Sequence, residues 1–267
     1  MITIYLLSLY IVSLTNVDLA FAIISQIFNN KGNDMGLYDR DYAREGAYGV
    51  NTSSRSEAGI VSFVKETYKL FAASMMAGAA GAYVGIPFAQ TIHEWSLGLF
   101  IVEMALLFGL FIVKRKPGIN MVVMFSFVFM TGLMIAPLLA QTLGMSGGGA
   151  IIGNAFAMTS VIFGAMSYFA IKTTTDFTSY TKPLFIALIV IIVFSLINAF
   201  VLHNPMFSVI ISGAVVMLFS VLVVYDTQNI IKGAYETPID GAIALYLDFL
   251  NIFTALLQLF GIFGSDD

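Results

Sequence analysis

Apolar residues run through this chain in long unbroken stretches, and polar residues gather in the short breaks between them. The stretches fall at about 68–90, 95–113, 119–143, 148–171, 183–202, 206–228 and 242–263. Each is near the ~20 residues that a helix needs to cross roughly 30 Å of hydrocarbon. Strands of a membrane barrel would be shorter and would alternate apolar with polar positions, which these stretches do not. The pattern predicts an all-α, polytopic membrane protein: a seven-transmembrane-helix bundle with short links and no separate soluble domain.

Composition agrees. Hydrophobic residues make up 59% of the 267 and charged residues 10%, against roughly 25% charged in a soluble domain. The chain has no cysteine, which excludes disulfides, thiol catalysis and cysteine-based zinc sites. A net charge of −4 carries no signature of nucleic-acid binding.

The basic residues predict an orientation. Lys31, Arg40, Arg44, Arg55, Lys65 and Lys69 precede or open the first span. Lys114, Arg115 and Lys116 lie between the second and third, Lys172 and Lys182 between the fourth and fifth, and Lys232 between the sixth and seventh. The alternate links carry only His93, Glu94 and His203, and the chain ends on Asp266 and Asp267. The expectation is an integral protein of a bacterial inner (cell) membrane, with its N-terminal tail in the cytoplasm and its C-terminus outside.

Residues 1–34 form an apolar N-terminal extension that lacks the basic leader of a signal peptide. Two readings stand for it: an extra span that starts outside, or an upstream stretch translated ahead of a start at Met35. Residues 35–67 read as a flexible cytoplasmic tail, rich in charge with Gly, Ser and Asn. Residues 68–267 form the membrane domain.

Polar side chains inside apolar spans are functional candidates by default. Asn154 and Asn198 suit helix packing, since such bonds contribute only ~0.6 kcal/mol on average. "GAYVG" (Gly81–Gly85) has the spacing that lets two helices approach closely. "SGGGA" (Ser146–Ala150) reads as a turn, and His93 and His203 are lone side chains near the outer surface. Glu103 sits mid-way along the second span. Asp226 lies near the end of the sixth span, and Asp248, Asn251 and Gln258 share one side of the seventh at 100° per residue. The sixth span runs inward and the seventh back out, so the two aspartates reach similar depth. Two carboxylates close together in low dielectric cannot both ionise cheaply; such a pair shares a proton and titrates as one unit. Glu103 and Lys114 also share a helix face, which puts Glu103 along the same inward path.

"FSVLVVYDTQNIIKG" followed by "AIALYLDFLNIFTALLQLFGIFGSDD" closely resembles the end of the Bax inhibitor-1 family, including its bacterial YccA-like and YetJ-like members. "TTTDFTSY" (Thr173–Tyr180), "LGLFIVEMALLFG" around Glu103, and "MGLYDRDYAREG" from Met35 resemble further parts of it. The resemblance covers about residues 35–267. It implies a last helix wrapped by two inverted three-helix layers. It also implies a pH-sensitive calcium leak gated by a carboxylate dyad, which falls here on Asp226 and Asp248. The family's basic latch falls on Lys114, with Arg115 beside it; some relatives have Arg at the first of these positions, and Lys cannot make the same bidentate grip. Gln258 stands where relatives often have Arg.

The resulting expectation is a cation leak channel with calcium as the transported ion and no cofactor. Asp226 and Asp248 would form a weak calcium site, with Glu103, Asn251 and Gln258 along the path. In the closed state Asp226 would be ionised, paired to Lys114 or Arg115, and bonded to a protonated Asp248. Two rivals remain open. Family relatives modulate the membrane protease FtsH, so the chain could be a regulatory partner of such a protease. Tyr225–Asp226 also resembles half of an intramembrane aspartyl protease site, but the second half of that site is a GxGD motif, where this chain has "LYLD" (Leu245–Asp248). Apart from the bilayer, calcium and such a protease, no partner is implied.

Residues 1–34 are expected to be dispensable. A chain of residues 35–267 alone should fold and conduct as the whole chain does, in a melting assay and a liposome flux assay. Loss of either would make the extension a genuine span.

Overall fold

A computed structural model describes the chain from residue 57 to residue 263. The extension 1–34 and the first part of the predicted tail lie outside the described residues. The described residues form α1 (Glu57–Gly85), a short α2 (Ala89–Glu94), α3 (Ser96–Val113), α4 (Ile119–Leu143), α5 (Gly148–Lys172), α6 (Thr181–Ile197), α7 (Pro205–Ile231) and α8 (Pro238–Phe263). Together they supply seven helices long and apolar enough to cross a membrane, with α1 and α2 joined in the first crossing, Glu57–Glu94. No strand occurs among the described residues.

The helix limits have local causes. Asn204 caps α7 by accepting from the amides of Met206 and Phe207, and Pro205 occupies the first position, where its missing N–H costs nothing. Thr237 and Asp240 cap α8 reciprocally. The Asp240 carboxylate accepts from the Thr237 amide at 2.9 Å, and the Asp240 amide faces the Thr237 hydroxyl at 3.4 Å.

One boundary differs from the sequence reading. Residues 57–67 are helical, not tail, so α1 starts at Glu57 and not near residue 68. Phe63, Thr67, Leu70, Ser74 and Gly78 form one buried stripe along it, while Lys65, Glu66 and Lys69 are exposed on the other side. The charges lower the average apolarity of this stretch and hide the stripe.

The helices pack as two layers about a centre. α4 lies against both α1 and α3, and α7 lies against both α5 and α6. Three crossings per layer mean that the second layer starts from the opposite side of the membrane, so the layers are inverted. α8 runs between them, packed on α7, α1 and α5 and less extensively on α4. In its most apolar window 83% of residues are buried, against 17–50% for the other six spans. It is the helix with least contact to lipid.

The α1–α4 contact depends on glycine. A methyl group added at Gly132 would lie 1.9 Å from the Gly78 carbonyl oxygen, and one added at Gly81 would lie 2.1 Å from that of Phe129. Only hydrogen fits at such separations, so the backbones meet directly, as in other small-residue membrane interfaces. The Gly81–Gly85 spacing belongs to this contact.

Overpacking of this kind costs about 1–3 kcal/mol or more, so Gly132→Ala should lower the melting temperature clearly. At Gly164 an added methyl meets nothing within 4 Å, and Gly164→Ala should be neutral or mildly stabilising. Equal melting of the two variants would exclude the close approach.

Candidate functional site

The end of the bundle that carries the links α3–α4, α5–α6 and α7–α8 holds most of the described charge. α7 brings Asp226 to this end, and α8 starts back from it, so that Asp248 returns to the same depth. Both aspartates are buried, at 7% and 3% exposure, and their carboxyl groups meet within hydrogen-bonding reach. The sequence reading placed these residues near each other; the structure brings their carboxyls into contact.

The remaining oxygens of the pair differ. Asp226 Oδ1 accepts from the Tyr235 hydroxyl at 2.6 Å. Asp248 Oδ2 is buried with no hydrogen-bond partner. One turn further along α8, Asn251 donates its amide to the Leu247 carbonyl at 2.8 Å and leaves its own Oδ1 buried and unmatched. An unmatched buried acceptor costs about 1–3 kcal/mol. Two of them close together on the central helix form a polar strip that the fold does not satisfy by itself. The chemistry available is that of hard oxygen donors: two carboxyls, an amide oxygen and a phenol. No cluster of three His, Cys, Asp or Glu side chains occurs among the described residues.

Glu103, on α3, and Gln258, on α8, lie away from this strip. Glu103, buried at 1% exposure on α3, interacts electrostatically with the Tyr246 hydroxyl. Tyr246 in turn donates to the Val128 carbonyl at 3.1 Å and meets the Thr131 hydroxyl at 2.5 Å. Tyr246 is two residues before Asp248, so this second polar station faces the other side of the helix. Gln258 accepts from the Ser212 hydroxyl at 2.9 Å, well along α8 from the aspartates.

The latch expectation needs correction. Lys114 Nζ lies 2.8 Å from Glu236 Oε2, and Arg115 Nε donates to the other Glu236 oxygen. Neither base pairs with Asp226. Glu236 is partly solvated in the α7–α8 link, whereas an ion pair at Asp226 would require Lys114 to give up its water for a buried partner. A neutral phenol satisfies Asp226 without moving a second charge inward.

Sequence reasoning missed Tyr235 and Glu236. They stand in "KGAYETP", which reads only as a turn. The available signal was an aromatic hydroxyl next to a carboxylate, confined between Gly233 and Pro238 in a link too short to wander.

A second set of bonds ties α7 to the α5–α6 link. Gln228 accepts from the Phe177 amide at 2.8 Å and donates to the Thr175 carbonyl at 2.9 Å. Lys232 Nζ lies 2.5 Å from Asp176 Oδ1. The hydrogen bond from Lys232, followed by that from Thr178, pulls the exposed Asp176 carboxyl down to about 2. Burial alone would raise Glu236, but the bonds from Arg115 and Lys114 outweigh it and hold the carboxyl below its ordinary 4.5. Burial, reinforced by the Asp226 charge, pushes the Tyr235 phenol well above 10. The phenol therefore keeps its proton and remains a donor.

Comparison with known proteins adds a consistent picture. The model of the family described as "Inhibitor of apoptosis-promoting Bax1" matches residues 60–265. A protein of Helicobacter pylori is 47% identical over 233 residues, covering 87% of this chain and all of the relative. One of Campylobacter jejuni is 48% identical over 237 residues, covering 86% of this chain and all of the relative. A protein of Schizosaccharomyces pombe named Bax inhibitor 1 is 28% identical over 203 residues, covering 75% of this chain and 74% of its own length.

The depressed acidity of Glu236 fixes the sign of one pH effect. Its ion pairs contribute stability that is present above the ordinary value of 4.5 and is lost as pH falls through the lower folded value. Glu236→Gln should therefore melt slightly below wild type near neutral pH, and the gap should close well below 4.5. A gap that persists in acid would mean that the contact is not ionic.

Proposed function

The chain belongs to the Bax inhibitor-1 family of membrane proteins, and from that premise we propose that it is a pH-sensitive calcium leak channel gated by Asp226 and Asp248. The observation that carries this reading is the buried carboxyl pair between α7 and the central helix, with Asp248 Oδ2 and Asn251 Oδ1 left unmatched beside it. Membrane interiors keep ionisable groups where ions or protons pass.

In the closed state one proton is shared between the two carboxyls, and Tyr235 neutralises part of the remaining charge by its hydrogen bond. A change in the protonation of the pair removes the shared bond, and the end of α7 and the facing turn of α8 are then free to separate. Calcium is a hard cation that accepts several oxygen ligands. Two carboxyls, the Asn251 amide oxygen and water suit a weak site, and conduction requires that the ion also leaves. Beyond this strip the path continues along α8 toward Gln258 and Ser212. The asymmetry of Lys and Arg supports a cytoplasmic position for the carboxyl pair, in a bacterial cell membrane.

The test is calcium flux in proteoliposomes across pH. Asp226→Asn preserves shape but cannot share the proton, so it should alter the flux and flatten its pH response. A variant with an unchanged pH profile would exclude the pair as the gate.

A further inference from the structure

We propose that the α7–α8 link is a strap that holds the carboxyl pair closed, with Tyr235 as a positioning residue for Asp226 and Glu236 as the fastening to the opposite layer. The proposal rests on the leak reading only for what the strap regulates; its geometry stands without it.

Links between helices are ordinarily mobile surface segments. This one is fixed at both ends. At the end of α7, Gly233 adopts φ 66°, and the amides of Gly233 and Ala234 bond to the carbonyls of Ile230 and Asn229 at 3.0 and 2.8 Å. That pair of bonds is a Schellman stop, and its left-handed residue suits glycine. At the start of α8, the Thr237–Asp240 box fixes the chain again. Ala234, Tyr235 and Glu236 are held between these two stops.

The two side chains in the middle of the strap point to different elements. Tyr235 turns inward and donates to Asp226 at 2.6 Å. Glu236 turns outward and binds Lys114 and Arg115 of the α3–α4 link. α7 belongs to one three-helix layer and the α3–α4 link to the other, so the strap crosses the mouth of the bundle from layer to layer. Separation of the end of α7 from α8 must stretch it. Release at Glu236 frees Tyr235 to leave Asp226, and Asp226 then loses the donor that accompanies it in the closed state.

The inner contact is the stronger of the two. It is a short, partly buried bond to a carboxylate, whereas Glu236 is 34% exposed and its partners Lys114 and Arg115 are 21% and 78% exposed, and ion pairs open to water contribute little. Tyr235→Phe should therefore loosen the strap more than Glu236→Gln does.

The experiment uses the full chain and two readouts. Amide hydrogen exchange over residues 229–240 reports the strap directly, with α4 as the internal control. Calcium flux in proteoliposomes reports the gate. Exchange should rise about tenfold or more in Tyr235→Phe, as expected for loss of a hydrogen bond to a charged group. It should rise by roughly threefold in Glu236→Gln, in line with a partly exposed ion pair. Closed-state flux should rise in the same order. Faster exchange in both variants with no flux in any protein, wild type included, supports the strap and overturns the leak reading. Wild-type flux with neither exchange nor flux altered in the variants overturns the strap and leaves the leak reading intact. Faster exchange spread equally over α4 overturns the strap as well, because the substitutions would then act on the whole fold.

Discussion

Hydrocarbon offers no hydrogen bonds, and every polar group in this bundle has to be kept from it or satisfied within the protein. That constraint selects α8 for the centre. The helix carries Tyr246, Asp248, Asn251, Thr254 and Gln258 between its ends, a load that a lipid-facing helix would not tolerate. The six surrounding spans are wetted by lipid on their outer sides, where large apolar side chains such as Met76, Ile112, Val161, Phe200 and Met217 are exposed. Two three-helix layers surround a single helix because that arrangement hides one span nearly completely while the others share the lipid.

Close helix contact then becomes a requirement. With lipid as apolar as any side chain, the hydrophobic effect does not press helices together, and van der Waals contact has to do so. Gly78, Gly81 and Gly132 let α1 and α4 meet backbone to backbone. The Tyr246 hydroxyl reaches Val128 and Thr131 of α4 beside that contact, and a methyl group at Gly78 would fall 2.5 Å from it. The same small residue admits the neighbouring helix and the polar group of the central one.

The spans were legible because hydrocarbon thickness writes itself directly into the length of apolar runs. α4 was legible to the residue, at Ile119–Leu143. The start of α1 was not, because its buried stripe shares the helix with Lys65, Glu66 and Lys69 and averages out in any window. The meeting of Asp226 with Asp248 was legible from depth and chain direction. The partners of Lys114 and Arg115 were not: resemblance assigned them to Asp226, and pairing depends on where water remains available, which spacing does not record. Glu103 shares a helix face with Lys114, yet the fold turns it toward Tyr246 and away from the carboxyl pair. Helical periodicity orders residues around one axis and is silent on how neighbouring axes are rotated.

Around the aspartates, the partner given to a polar group changes with its distance from the charged end. At the surface, Lys232–Asp176 and the Glu236 pairs match full charges where water still screens them. One level deeper, Asp226 is matched by a neutral phenol and by a carboxyl neighbour. At the same depth and one turn further along α8, Asp248 Oδ2 and Asn251 Oδ1 have no hydrogen-bond partner among the described residues. Further along α8 the polar side chains are matched again, Thr254 by the Asn251 carbonyl and Gln258 by Ser212, so the unmatched side-chain oxygens of α8 are confined to the strip beside the carboxyl pair, where low dielectric makes them costly. Under the leak reading proposed above, that strip is the place for a guest that comes and goes, and the outer bonds hold its entrance. A fully matched interior would bind nothing, and an unmatched entrance would never close.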